Sequence, residues 1–323
     1  MTGMPVRTRK IALEEHFLTP ELEMYWEPTV AELPAERRQS ILDSLTDFSR
    51  PRLADMDAAG IDLAVLSIAG PGVQAEPDAA VAVREAARAN DALARVVQDR
   101  PARYAGFAHL AMQDPRAAAA ELERCVTQLG FKGAMINGQT QGHYLDEDAF
   151  FPFWERAEAL DVPVYLHPAD PQTPYAAFQG HNLLTRAIWG RTVETATHAL
   201  RMVFGGTFER FPGARLILGH MGETLPFLLW RLDSRSKLYA GYSLSLPPSG
   251  YVRRNIAITT SGQCADEPLL CALASMGEDN VMFSVDHPFE RMTEAADFID
   301  GAAVGDATRA KLCHGNAKRL LKL

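Results

Sequence analysis

The amino-acid sequence predicts an α/β fold in which residues 1–323 form a single (β/α)8 barrel of the TIM type. The first observation behind this prediction is a set of eight short apolar runs without polar alternation, which is typical of parallel strands covered by helices. The second observation is that amphipathic, helical runs separate them. Dividing 323 residues among eight strand–helix units leaves about 40 residues per unit, which fits such a barrel with insertions.

The predicted strands are separated by segments long enough for one helix each. They lie at 10–16, 62–68, 103–109, 132–137, 163–167, 215–219, 255–260 and 281–285. The clearest helix covers 114–130, because Asp114 is a suitable N-cap, Pro115 follows at the first helical position and Gly130 comes after the last turn. A second apolar stripe at helical spacing runs through 79–97.

Two connections are longer than this repeat requires. We interpret 17–37, after the first strand, and 168–190, after the fifth, as insertions at the face where such barrels carry their active sites. A doubly wound open sheet is the alternative fold. No Gly-x-Gly-x-x-Gly motif follows the first strand to support that alternative.

Composition and charge argue against several classes of partner. The formal net charge of −9 argues against a nucleic-acid partner, which requires a basic surface. No apolar run approaches the roughly 18 residues of a membrane-spanning helix, so we expect no membrane partner. The four cysteines form no Cys-x-x-Cys pair and no secretory signal is evident, so we expect buried thiols in a cytoplasmic protein.

Side chains that bind metals stand at the carboxyl ends of three predicted strands, where barrel enzymes place catalytic residues. Glu14 and His16 end the first strand and point to the same side, whereas Glu15 points away. His167 ends the fifth strand and Asp286 the eighth. Two carboxylates and two imidazoles suit one borderline divalent ion such as Zn²⁺ or Mn²⁺ and leave positions open for a substrate. The alternatives are a salt bridge for Glu14 and a helix N-cap for Asp286.

A second group of residues could act on the substrate itself. His220 and Glu223 are three positions apart at a strand-to-helix turn, so the carboxylate could orient the imidazole as an acid or base; a capping contact is the alternative. Arg231 could bind a substrate carboxylate, or it could pair with Asp233 or lie at the surface. Asn137 could donate to the substrate or serve as a turn residue.

Several motifs together resemble one known family. They are KIALEEHF at 10–17, PGVQA at 71–75, YLHP at 165–168, GHMGE at 219–223, TTSG at 259–262 and FSVDHPFE at 283–290. With these motifs the chain resembles, nearly from end to end, the metal-dependent, non-oxidative decarboxylases of the amidohydrolase superfamily. That family includes γ-resorcylate, 2,3-dihydroxybenzoate and 5-carboxyvanillate decarboxylases.

The resemblance implies a (β/α)8 barrel, one divalent metal ion, a homodimer or homotetramer, and loss of CO2 from a hydroxylated aromatic acid. It assigns Glu14, His16, His167 and Asp286 as metal ligands, His220 and Glu223 as the catalytic pair, and Arg231 as a carboxylate-binding residue. We expect Asp286 also to handle the proton, since a carboxyl group beside the ring can have a raised pKa.

A metal-dependent hydrolase of a lactone or amide is the alternative activity. The first strand ends in Glu-x-His where hydrolytic members of the superfamily usually have His-x-His, and no lysine ends a predicted strand. Both features favour decarboxylation. His287 occupies a position where the family usually has Trp or Tyr, and the motifs match different members of the family, so the sequence predicts no single aromatic acid.

Overall fold

Parallel strands arranged in sequence order form the centre of the protein. The computed structural model describes residues 8–239 and 241–323. The strands are β1 Lys10–Phe17, β2 Ile61–Ile68, β3 Tyr104–Gly106, β4 Ala108–His109, β5 Ala134–Asn137, β6 Val164–His167, β7 Leu216–Leu218, β8 Ile256–Thr259 and β9 Val281–Met282. Each predicted strand has a counterpart, although the run 103–109 is divided into β3 and β4, and the run 281–285 is shortened to β9.

The strands form two parallel sheets, one of β1 to β3 and one of β4 to β9, in which neighbours in sequence are also neighbours in space. This order is that of a barrel, and the doubly wound alternative is wrong because its strand order would reverse. Among the described residues, the strands do not close into one hydrogen-bonded ring. The ring is interrupted between β3 and β4 and again between β9 and β1. At the second interruption the backbone N–H of His16 still donates to the carbonyl of His287, at 2.8 Å.

Helices connect the strands and cover them from outside. They are α1 Glu23–Trp26, α2 Ala35–Thr46, α3 Arg50–Ala59, α4 Ala79–Asp99, α5 Pro115–Thr127, α6 Phe151–Leu160, α7 Gly190–Phe204, α8 Thr207–Arg210, α9 His220–Glu223, α10 Leu225–Ser236, α11 Pro248–Asn255, α12 Asp266–Met276, α13 Met292–Gly301, α14 Asp306–Ala310 and α15 Asn316–Leu321. The start of α5 is confirmed, because the Asp114 carboxylate accepts hydrogen bonds from two backbone N–H groups of the first turn.

Two apolar cores lie on the two sides of the strands. The outer core packs strand residues against the helices and contains fully buried side chains such as Trp154. The inner core consists of alternate strand residues on the opposite face, including Ile11, Leu13 and Ile217, and α15 contributes Leu321 to it. The barrel interior is therefore filled with side chains, and only its carboxyl end is left to form a site.

The two long connections contain short helical turns. Residues 18–34 carry α1 and two 3₁₀ turns, whereas 168–189 carry the 3₁₀ turns Ala176–Phe178 and Asn182–Thr185. Both supply residues to the same cavity, among them Trp26 and Ile188. Their interpretation as insertions stays a prediction.

The burial of the four cysteine thiols agrees only partly with the prediction. All four are free, and Cys125 and Cys313 are buried, but Cys271 is half-buried and Cys264 is exposed. The expectation that every thiol is buried is therefore wrong for two of them. Within the described part of the chain, no helix combines the length and the apolar composition that crossing a bilayer requires.

Replacing Asp114 with alanine tests the cap of α5. Its carboxylate accepts hydrogen bonds from the N–H groups of Arg116 at 3.1 Å and Ala117 at 3.0 Å, which otherwise have no partner within the helix. We expect the free energy of unfolding, measured by urea denaturation, to fall by about 1 kcal/mol. Asp114→Asn is the control, because asparagine also caps helices. An equal loss in both variants would contradict the assigned cap.

Candidate active site and metal centre

A cavity of about 660 Å³ opens at the carboxyl ends of the strands. Asn137 and His167, the last residues of β5 and β6, line it together with Asp286, which follows β9. Because the strands are parallel, their carboxyl ends meet at one end of the barrel, as the sequence predicts for this fold. The volume is sufficient for a small aromatic molecule.

Glu14, His16, His167 and Asp286 come together at this cavity, and each offers an atom within 4.8 Å of those of the others. His16 Nε2 lies 3.3 Å from Asp286 Oδ1, and His167 Nε2 lies 3.4 Å from Glu14 Oε1. Glu14 Oε1, His16 Nε2 and Asp286 Oδ1 are buried without a hydrogen-bond partner. Since buried polar atoms normally have partners, this arrangement fits a divalent ion between them. Mixed imidazole and carboxylate ligands suit Zn²⁺ or Mn²⁺.

Side-chain hydrogen bonds hold the end of β1 in position. Glu15 points away from the two ligands beside it, and its Oε1 accepts hydrogen bonds from the N–H of Val285 at 3.0 Å and the hydroxyl of Ser284 at 3.3 Å. Arg52, which is buried, donates to the carbonyl of His16 at 2.8 Å. Glu15 thus joins β1 directly to the segment that leads into Asp286.

The Glu14 carboxylate is fully buried, and burial is the main reason that its pKa is raised. Its Oε2 accepts a hydrogen bond from the hydroxyl of Tyr165, which also contacts the Thr259 hydroxyl at 2.8 Å. A bound divalent ion would reverse the effect of burial and favour the carboxylate. Gly219 is required beside it, because a Cβ there would lie 2.6 Å from Glu14 Oε2.

His220 lies next to the predicted ligands without being one of them. Its Nδ1 donates to the carbonyl of Ser261 at 3.0 Å, which directs Nε2 towards Glu14 Oε1 at 3.7 Å. Burial lowers the pKa of His220, but the negative charges of Glu14, Glu223 and Asp286 outweigh it and raise the pKa to about 9. A cation bound between these carboxylates would oppose that increase.

The backbone from His220 to Thr224 is unusual. Four non-glycine residues in this segment have positive φ, at 47° for His220, 57° for Met221, 52° for Glu223 and 68° for Thr224. Such conformations cost energy in L-residues and concentrate at functional sites. Although the segment is assigned as α9, its positive φ values therefore do not give the right-handed helical geometry that would bring side chains three positions apart together.

The structure does not show the predicted hydrogen bond between His220 and Glu223. Both carboxylate oxygens of Glu223 are buried without a hydrogen-bond partner, and burial raises the pKa of this residue to about 7. The physical reason is the positive-φ turn between the two residues. The carbonyl of Ser261, and not the carboxylate, fixes the tautomer of His220. Glu223 still lines the cavity, so its role towards the substrate stays a prediction.

The two predicted substrate-binding residues have different positions. Asn137 is buried at the cavity, and its side-chain oxygen has no hydrogen-bond partner. Arg231 is exposed on α10 and is not among the described residues that line the cavity, because Leu225 and Leu229 occupy the buried face of that helix. It does not pair with Asp233, whose carboxylate instead accepts hydrogen bonds from Ser249.

Several residues of the site were not predicted from the sequence. Tyr165 could have been found, since it lies two residues before His167 in β6 and therefore faces the same side. Gln74 belongs to the PGVQA motif, but the motif did not reveal its contact: its Oε1 accepts a hydrogen bond from the N–H of Asn137 at 2.6 Å across 63 positions. Arg191, which lines the cavity from α7, has no sequence signal.

His287 is buried and is not among the described residues that line the cavity. It lies close enough to Arg52 for the positive charge to help burial lower its pKa, to about 3. Phe289, two residues further, lines the cavity instead, and its ring centroid lies 5.9 Å from that of His16. Phe289 therefore supplies an aromatic ring to the cavity.

Known proteins match the chain over almost its whole length. A γ-resorcylate decarboxylase from Polaromonas sp. JS666 is 42% identical over 324 residues, covering 97% of this chain and 98% of the relative. A dihydroxybenzoic acid decarboxylase structure from the same organism, with bound manganese and the inhibitor 2-nitroresorcinol, is 40% identical with a TM-score of 0.91, covering 98% of this chain and 97% of the other. A 5-carboxyvanillate decarboxylase from Novosphingobium aromaticivorans, complexed with manganese and 4-hydroxy-3-methoxy-5-nitrobenzoic acid, is 36% identical with a TM-score of 0.93, covering 98% and 96%.

These comparisons confirm the barrel fold class and the resemblance found in the sequence. The family model described as amidohydrolase matches residues 16–323. Manganese in the related structures agrees with the four side chains that could hold one metal ion here. The chain belongs to the amidohydrolase family, among its metal-dependent, non-oxidative decarboxylases.

Proposed function

We propose that the protein is a metal-dependent carboxy-lyase that removes CO2 from a hydroxylated aromatic acid with a hydroxyl group ortho to the carboxylate. The observation that carries the proposal is the set of three unpartnered buried ligand atoms, on Glu14, His16 and Asp286, which lie close together beside a cavity that Asp286 lines and that is large enough for such an acid. The decarboxylase relatives at 36–42% identity support the same activity.

The reaction requires a proton before the carbon–carbon bond breaks. Direct loss of CO2 from an aromatic ring would leave an unstabilised aryl carbanion. A proton delivered to the carboxyl-bearing ring carbon avoids this, because the electron pair of the breaking bond then restores aromaticity as neutral CO2 leaves. When bound, a divalent ion supplies Lewis-acid stabilisation of negative charge on the substrate oxygens.

The chain's own residues would hold the substrate and move the proton. Asp286 lines the cavity, and we assign it the transfer of a proton to the ring carbon, taken either from its own carboxyl or from the substrate hydroxyl. His220, oriented by the Ser261 carbonyl, and Glu223 would hold the polar end of the substrate. Asn137 would accept a hydrogen bond from a ring hydroxyl through its unpartnered oxygen.

A homodimer or homotetramer and a cytoplasmic location, both expected from the sequence, complete the proposal. On α10, Phe227 and Trp230 are 80% and 79% exposed, and such an apolar surface suits contact with another subunit. Light scattering should give a mass that is two or four times 35.5 kDa. A monomeric mass at micromolar concentration would contradict this part of the proposal.

A substrate screen tests the activity. Mn²⁺- and Zn²⁺-loaded protein is incubated with 2,6-, 2,3- and 2,4-dihydroxybenzoate, salicylate, 5-carboxyvanillate, and a few aryl lactones and amides. We expect mass spectrometry to show loss of CO2 from at least one acid, because the residues that could hold the metal ion and the proposed proton donor, Asp286, lie together at the cavity. Chelation should abolish the loss and Mn²⁺ should restore it. Addition of water to a lactone or amide, without decarboxylation, would favour the hydrolase alternative.

Asp286→Asn tests the proton transfer. The amide is similar in shape but cannot transfer the proton, so we expect kcat to fall at least about a hundredfold. Metal content, measured by mass spectrometry, should remain partly intact because Glu14, His16 and His167 are unchanged. Glu290→Gln is the control, since Glu290 lines the same cavity without belonging to the ligand cluster. Full activity in Asp286→Asn would contradict the assignment of proton transfer to Asp286.

A further inference from the structure

Four of the described residues that line the cavity carry carboxyl groups. They are Asp286, whose charge a divalent ion would help to balance, and Glu223, Glu290 and Asp170. An aromatic acid enters as a carboxylate at neutral pH and would be repelled by these groups. The cavity therefore needs a positive charge beyond the metal centre.

Arg191 is the sole arginine or lysine among the described residues that line the cavity. It lies in the first turn of α7, and its guanidinium stays charged at any physiological pH. Arg231, the arginine that sequence reasoning selected for the substrate carboxylate, is exposed on α10 and does not reach this wall. Within one chain, the permanent positive charge at the cavity wall therefore comes from α7.

The contacts of Arg191 leave most of its hydrogen-bonding groups free. Its Nε donates to Asp170 Oδ1 at 2.9 Å, whereas its two terminal amino groups make no hydrogen bond to another described residue. The other carboxylate oxygen of Asp170 accepts a hydrogen bond from Arg186. One carboxylate is therefore shared by two guanidinium groups, and the three side chains together carry one net positive charge.

Asp170 holds Arg191 in place. Asp170 follows β6 by three positions, and its ion pair with Arg191 joins this end of the connection to the start of α7, whereas Arg186, near the other end, contacts only the second oxygen of the same carboxylate. The side chain of Arg191 is 26% exposed, which agrees with a group partly covered at a cavity wall. A planar guanidinium with two unused amino groups matches the geometry of a carboxylate.

We propose that Arg191 is a substrate-binding residue that takes the carboxylate of the aromatic acid and makes the cavity select anions over neutral phenols. The inference rests on the proposed function for the identity of the substrate. The binding it describes does not depend on turnover. Arg186, which has the same carboxylate partner but is not among the described cavity residues, provides a matched control.

The experiment measures binding of two ligands of nearly equal shape to the Mn²⁺-loaded protein by calorimetry. The ligands are 2,6-dihydroxybenzoate, which is anionic, and 2,6-dihydroxybenzamide, which is neutral. For Arg191→Gln we expect the Kd of the acid to rise about tenfold, equivalent to about 1.4 kcal/mol, while the Kd of the amide stays within about twofold. Arg186→Gln should leave both Kd values within about threefold of the wild type.

Kinetics on an acid that the protein decarboxylates provide a second measurement. Arg191→Gln should raise KM by about the same factor as Kd and change kcat by less than about threefold, because the contact is made before the chemical step. Arg191→Lys should recover part of the loss in binding, since the ammonium keeps the charge without the planar fork.

Three results would overturn the inference. One is an equal rise in the Kd of the acid and of the amide in Arg191→Gln, which would indicate that Arg191 shapes the cavity without recognising the charge of the ligand. Another is the same loss in Arg186→Gln, which would assign the effect to the Asp170 ion pair. The third is a wild-type protein that binds the acid no more tightly than the amide. A different result would contradict the proposed function alone. In that case the protein decarboxylates no acid, yet it still binds the acid more tightly than the amide, and this preference depends on Arg191.

Discussion

Two carboxylates that share one small space, Glu14 fully buried and Asp286 partly buried, impose the main constraint on this protein. Glu14 and Asp286 offer oxygens within 4.8 Å of each other and of two imidazoles. At an effective dielectric constant of about 20, two like charges about 4 Å apart repel by about 4 kcal/mol. A divalent ion converts this repulsion into attraction and permits both groups to stay ionised. Three strands bring these groups together, since Glu14 and His16 lie in β1, His167 ends β6 and Asp286 follows β9.

Three of the four predicted ligands, Glu14, His16 and Asp286, adjoin the interruption of the barrel between β9 and β1. Between β9 and β1 the backbone hydrogen bonds that pair neighbouring strands are interrupted, and side-chain hydrogen bonds connect the two segments instead. Glu15 joins β1 to Ser284 and Val285, and the N–H of His16 donates to the His287 carbonyl. These hydrogen bonds across the interruption therefore fix the spacing between Glu14 and Asp286. Glu15 thus has a structural role beside the metal centre.

The turn after β7 shows how the chain accommodates a histidine close to the metal centre. Positive φ values from His220 to Thr224 turn the imidazole towards the cavity, and the Ser261 carbonyl holds its Nδ1. Gly219 and Gly262 provide the space, since a Cβ would lie 2.6 Å from Glu14 Oε2 at the first position and 2.9 Å from His220 Nδ1 at the second. Strained backbone and small residues together place His220 without making it a ligand.

The sequence by itself determined the strand order, the N-cap of α5 and the four side chains that could hold a metal ion. It could do so because parallel strands in a barrel bring their carboxyl ends together, so the residue at each strand end is enough to locate the site. Contacts between segments distant in sequence were decided by the tertiary structure alone. The pairing of Arg191 with Asp170, the exposure of Arg231 and the missing bond between His220 and Glu223 depend on helix rotation and backbone φ. Residue spacing does not encode either quantity, because the same spacing has different geometry in a helix and in a positive-φ turn.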